Sequence, residues 1–238
     1  WETLHVVSVE SSAGTKFTPQ GDASFLAIGA TPAKEVITIV AESHRPGIRA
    51  IRLEALAEDS LPQKGPGRAG NGNFVVCDLQ VVATPLKADK PADASSSAAP
   101  IKLVAARATH QQNTGDLSVA ASIDDNPTSG WAVDAGGIGK DQAAVFDFEA
   151  PVSHADGARW TITLSMNHPN PHHTLGRFRV SVSDRVQPTP EVGSTGPDAK
   201  VLHALETLRK SVDETSEEWK TGLEWFATTD PEMIAITQ

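Results

Sequence analysis

The chain has 238 residues with a formal net charge of −10, 39% hydrophobic residues and 5% aromatic residues. That length suits one large β domain or two small ones, and the apolar content suffices for a packed core. Nucleic acid and anionic membranes are poor partners for so acidic a chain, because binding them needs clustered Lys and Arg. Tyr is absent, which argues against a sugar site built from many stacked rings. Cys77 is the single cysteine, so an internal disulfide and a cysteine-rich metal site are both excluded. No run reaches the length of a membrane span, no signal peptide is visible, and the start at Trp1 reads as that of an excised internal fragment.

Residues 1–86 read as short strands. Val36–Glu42 is almost wholly apolar and β-branched. In Ile48–Leu56, the apolar Ile51, Leu53 and Ala55 alternate with Arg52 and Glu54, which puts the two charged residues on one side to pair with each other or with Arg68. Val75, Cys77, Leu79 and Val81 alternate in the same way, so Cys77 is expected as a buried, inert thiol. Between these runs lies Gly65-Pro66-Gly67-Arg68-Ala69-Gly70-Asn71-Gly72-Asn73, a loop rich in Gly and in side chains that bond to backbone. It is expected to hold a fixed shape at one end of a sandwich, where binding sites gather.

Residues 87–100 form a low-complexity connection without apolar period. Strand patterns resume over 101–186: Phe146 and Phe148, then Trp160, Ile162 and Leu164, then Phe178, Val180 and Val182 each alternate with polar or charged neighbours. This pattern predicts antiparallel sheets with one wet face, hence an all-β sandwich over residues 1–186. Residues 187–199 read as a Pro/Gly linker and 200–238 as a helical tail. In the tail Val201, Leu202, Leu205 and Leu208 hold helical spacing, and a second run carries Trp219, Leu223 and Phe226 beside Trp225. Thr215 or Ser216 is the expected cap of that second helix, with Glu217 and Glu218 in its first turn. Asp230-Pro231-Glu232 starts a last turn.

Four blocks together resemble a known family. They are Ile51–Leu56; Leu61-Pro62 with Gly65–Arg68 and Asn71–Phe74; Ser122–Asp125 through Gly130–Val133; and His173–Val182. Their order and spacing resemble a domain embedded in large exported planctomycete proteins that also carry a c-type haem domain. That domain is similar in turn to discoidin, or galactose-binding-like, jelly rolls. Ala106–Thr109 followed by Ile123–Trp131 looks like the opening of such a domain, and Asn73–Leu79 like its closing strand; here the closing block comes first, which implies a permuted arrangement or an added strand set. The resemblance implies export, a position among flanking domains, and no activity of its own. The haem-attachment motif is absent, so no haem is expected on this stretch.

The chemistry-bearing candidates follow. Asp124, Asp125, Asn126 and Thr128 crowd oxygen ligands into one turn, which suits Ca²⁺ or a plain Asx turn. In the galactose-binding-like folds that turn supports a structural calcium, with Asp78 as the matching acid on the last strand. Trp131 is either a sugar-stacking platform or a core plug. Arg68, Asn71 and Asn73 offer planar groups that can read hydroxyls or carboxylates, or tie down the loop's own carbonyls. The His-rich stretch Asn167–His173 offers three His that could bind zinc, but without a fourth convincing ligand it reads as a solvated hairpin loop, from which His173, next to Thr174 and Arg177, is a candidate to line a polar groove. Nucleophilic and glycosidic catalysis find no support: Gly-x-Ser-x-Gly is missing, and adjacent Asp124 and Asp125 do not flank a bond. The reading that results is a non-catalytic module recognising polysaccharide through rim loops; the alternative is a spacer that orients neighbouring domains.

Overall fold

The computed structural model describes residues 1–86, 99–193, 213 and 215–229, with residues 224–229 described as helix backbone. The strands are β1 (Glu2–Thr3), β2 (His5–Ser11), β3 (Lys16–Pro19), β4 (Phe25–Ile28), β5 (Glu35–Ser43), β6 (Ile48–Ala55), β7 (Val75–Val76), β8 (Asp78–Pro85), β9 (Leu103–Ala108), β10 (Trp131–Ala132), β11 (Gln142–Val152), β12 (Ala158–Met166) and β13 (Arg177–Ser183). A helix, α1 (Glu217–Thr229), follows. The larger sheet runs β3-β4-β13-β6-β11-β9, with β1 added to β13 beside β4; the smaller runs β2-β5-β12-β8, and β7 pairs with β10 alone. The pairings are antiparallel, as the alternating patterns predict.

The two large sheets close on one core. Ile37, Ile39 and Ala41 of β5 stand opposite Leu164, Ile162 and Trp160 of β12, and all six have no exposed surface. Across from them Ile51 and Leu53 of β6 register with Val182 and Val180 of β13 and with Phe146 and Ala144 of β11. All belong to a single apolar cluster. Each fully buried Ile, Leu or Val contributes about 1.5–3 kcal/mol relative to exposure, so this cluster specifies which face of every strand turns inward.

The sequence predicts one wet face on each sheet, and for the larger sheet the structure corrects this. Glu54 pairs in register with Arg179, Arg52 with Ser181, and Ala50 with Ser183, all on the face away from the core and all buried. The cover comes from the stretch expected as linker: Pro188–Gly193 lies back over β6 and β9. Pro188 O accepts from Arg107, Glu191 O accepts from Arg52 Nη1 at 2.6 Å, and Gly193 N donates to Glu54 Oε1 at 2.8 Å. The Trp1 ring completes the cover, 4.7 Å from the Arg52 guanidinium.

The run Phe74–Val82 is split at Cys77. β7 joins β10, whereas β8 joins β12, and Cys77 N bridges to Ser165 O. Cys77 is buried and free, as expected, but it packs with Val75, Ala132 and Leu117 beside the main core. Ser216 caps α1 through Trp219 N to Ser216 Oγ at 3.1 Å, with Glu217 and Glu218 in the first turn. The predicted helical run Val201–Leu208, the last turn at Asp230, the connection over 87–98 and the side chains of Trp225 and Phe226 lie outside the described residues. No helix among the described residues is long and apolar enough to cross a membrane.

Candidate binding site

The Gly-rich loop folds into a compact knot between β6 and β7. Gly67 N donates to Gly72 O, Gly72 N to Ala69 O, and Gly67 bridges Leu175. A Cβ at Gly67 would lie 2.0 Å from Asn73 O, and one at Gly65 2.3 Å from Gly72 O, so only glycine fits either place. Arg68 N donates to Thr174 O, and Gly176 N to Pro66 O, which fastens the knot to the chain entering β13.

Within this frame the predicted ligand residues have different fates. Asn71 Oδ1 accepts from Asn73 N, and its Nδ2 donates to Asp134 Oδ2 at 3.0 Å. Asn73 is buried; its Oδ1 accepts from Val133 N and its Nδ2 donates to Gln112 Oε1. Trp131 has no exposed surface, donates Nε1 to His110 O at 2.9 Å, and meets Phe74 edge-on at 5.0 Å. A ring with no exposed surface stacks on no sugar, so Trp131 plugs the core. Arg177 is held by Ser24, Glu58 and Asp22 at 2.9–3.0 Å. His173 is half-buried, its ring 6.0 Å from that of His168 and its Nδ1 3.0 Å from Pro171 O. Burial and the neighbouring His173 push the His168 imidazole below its ordinary value.

Arg68 stands apart. It lines a cleft of about 320 Å³ together with Leu26, Ile28, Thr31, Ser60 and Leu61, among others. The residue is 7% exposed, with Nη2 donating to Gly29 O at 2.6 Å and Nη1 to Thr15 Oγ1 at 3.4 Å. Burial lowers its pKa, and the charge of Glu35 offsets that in part. Glu35 is itself buried; Oε1 accepts from Ser11 Oγ, while Oε2 has no partner among the described residues. Sequence reasoning passed over Glu35. Its signal was there to read, since position 35 shares the inward phase of Ile37 and Ile39.

The acidic turn resolves into two groups. Asp124 accepts from Ser129 Oγ and Asn126 N, and Asn126 Oδ1 accepts from Thr128 N and Oγ1. Asp78, Asp125 and Asn126, with Ser165 and Asn167, line a second cleft of about 200 Å³. Burial first, then the nearby Asp125 and Asp124, pushes the Asp78 carboxyl above its ordinary value. Calcium takes six to eight oxygens. Asp124 and Thr128 are engaged within the turn, and no cluster of three or more His, Cys, Asp or Glu among the described residues is placed to hold a metal.

Comparison with protein-family models, with curated proteins and with solved structures finds no match to this chain.

Proposed function

We propose that this chain is a non-catalytic carbohydrate-binding module of a larger exported protein, a galactose-binding-like jelly roll that takes its sugar in the rim cleft beside Arg68. The observation that carries this reading is the lining of that cleft: a planar guanidinium, the hydroxyl-bearing Thr31 and Ser60, and the apolar Leu26, Ile28, Leu61 and Pro62. Such a mixture suits a ring with an apolar C–H face and polar edges. No carboxylate, His or Cys lines the cleft among the described residues, so no base stands in it to activate the Ser60 or Thr31 hydroxyl. A cleft this shallow buries little area, and a single module binds weakly. Affinity electrophoresis on a panel of neutral and acidic polysaccharides tests the reading. Retardation by at least one polymer, competed by its oligosaccharide, supports it; equal mobility on every gel overturns it.

A second reading, a spacer that orients flanking domains, rests on a different observation. The Arg52 guanidinium gathers both Trp1 and Glu191, so the first residue and the segment after β13 are held on one face. Co-purification with neighbouring domains, without polysaccharide retention, decides for this reading.

A further inference from the structure

We propose that the cleft beside Arg68 recognises an anionic group, a carboxylate or a sulfate carried on a saccharide, an inference that rests on the carbohydrate-binding reading above. The motivating contrast lies among the arginines. Arg52 and Arg179 meet Glu54 at 3.2 and 2.7 Å, Arg107 meets Asp147, and Arg177 meets Asp22 and Glu58 at 2.9 and 3.0 Å. Arg68 is as deeply placed as Arg179, each being 7% exposed, yet no carboxylate lies within ion-pair distance of it among the described residues. Its protein partners are both neutral: Gly29 O and Thr15 Oγ1. A guanidinium carries five N–H groups; two are engaged here, which leaves three.

A desolvated cation without a counter-charge is costly unless something completes it. Glu35 acts on it through its charge, without an ion pair between the two. The guanidinium fork matches the two oxygens of a carboxylate or sulfate in a way that an ammonium cannot. Among the described residues no acidic side chain lines the cleft itself, although Glu58 accepts from the lining Ser60 Oγ at 3.3 Å and the chain as a whole carries −10. That net charge disfavours general attraction to polyanions, so retention of an acidic polymer has to come from a local site. The exposed Ile28 and the half-buried Leu61 at the lining provide the apolar contact for the sugar ring.

The test uses matched polymers and the whole chain: polygalacturonate against its methyl-esterified form, and carrageenan against its desulfated form. The expected result is about tenfold tighter retention of one charged member than of its neutral partner, which also tells carboxylate from sulfate. Ser60→Asp, an exposed change at the cleft, places a like charge beside the ligand and is expected to abolish that preference without unfolding the chain. Arg68→Lys, with folding checked by circular dichroism, is expected to lose most of the preference because the fork is gone. Equal retention of both members of each pair overturns the inference while leaving the carbohydrate reading intact. If no polysaccharide is retained, the carbohydrate reading falls. The Arg68 Nε–H resonance is then followed while sodium glucuronate or sodium sulfate is added. Saturable movement sustains an anion site without the sugar, and its absence removes the inference as well.

Discussion

Arg52 and Glu54 stand two residues apart on β6 with no exposed surface on either side chain, and Arg52 Nη2 lies 3.2 Å from Glu54 Oε2. They point away from the apolar core, yet water does not reach them. Glu54 receives Arg179 through both carboxylate oxygens as well, at 2.7 and 2.9 Å, and Gly193 N in addition. Arg52 is the strained partner: burial and the nearby Arg179 pull its pKa down to about 10 against the pull of Glu54, and its Nε has no partner among the described residues.

Removing Glu54 therefore leaves Arg52 buried without its ion pair and Arg179 with Asp22 alone, at 3.6 Å. Glu54→Ala is expected to destabilise the fold by about 3–5 kcal/mol. Replacing the pair together, Arg52→Met with Glu54→Leu, is expected to cost less than the sum of the single changes, because Arg52 is no longer left as a buried charge and Arg179 keeps Asp22. Urea denaturation of the three variants measures this; a loss below about 1 kcal/mol for Glu54→Ala would show that water enters the site.

Trp131 is a core residue, and its truncation should behave accordingly. Trp131→Ala is expected to cost about 3–5 kcal/mol, with loss of the Phe74 contact and of the bond to His110 O. Polysaccharide retention by the folded fraction should stay unchanged. Loss of retention at full stability would put this ring back at the ligand.

Gly67→Ala tests the packing of the loop. The added methyl meets Asn73 O at 2.0 Å, so the knot has to open, at a cost of about 1–3 kcal/mol. Limited trypsin digestion is the readout: cleavage after Arg68, buried in the native loop, is expected to accelerate. Unaltered digestion kinetics would mean that the loop adapts without opening.

The Asp78 cleft carries a pH signature. Its carboxyl is raised above the unfolded value of 3.8, first by burial. Between that value and the higher folded one, the folded chain binds more protons than the unfolded chain. Stability therefore falls as pH rises through this window and stays lower above it. Asp78→Asn is expected to raise Tm slightly at pH 7 and to lose the advantage below about pH 4. An Asp78→Asn variant that melts earlier than the parent at pH 7 would contradict this sign.

Much of the strand map was legible because the interior is apolar and the period is two. Ile37, Ile39, Trp160 and Ile162 announce their faces. The pairing of Arg52 with Glu54 followed from the same phase rule. The cover over those residues did not, since Pro188–Gly193 has no apolar period and acts through backbone carbonyls and an N–H, groups that every sequence carries. The sites divided for a related reason. Asn71, Asn73, Trp131 and Arg177 have the right chemistry for ligands, but each finds a partner far along the chain: Asp134, Gln112, His110 and Asp22. Composition cannot reveal such long-range satisfaction. Among the described residues Arg68 has no ion-pair partner, a property equally invisible until the sheets assemble.

Trp1 and Gly193 lie on the same face of the larger sheet, over β6, and β1 lies antiparallel on β13 through Glu2↔Val182 and Thr3↔Ser181. Tension applied between residues 1 and 193 would load those ladder bonds one after another, as a zip opens, instead of all at once. The first strand would peel away at low force while the central β5–β12 pair stayed closed. Held between heavier neighbours, the sandwich would lengthen by one short step before its interior felt any load.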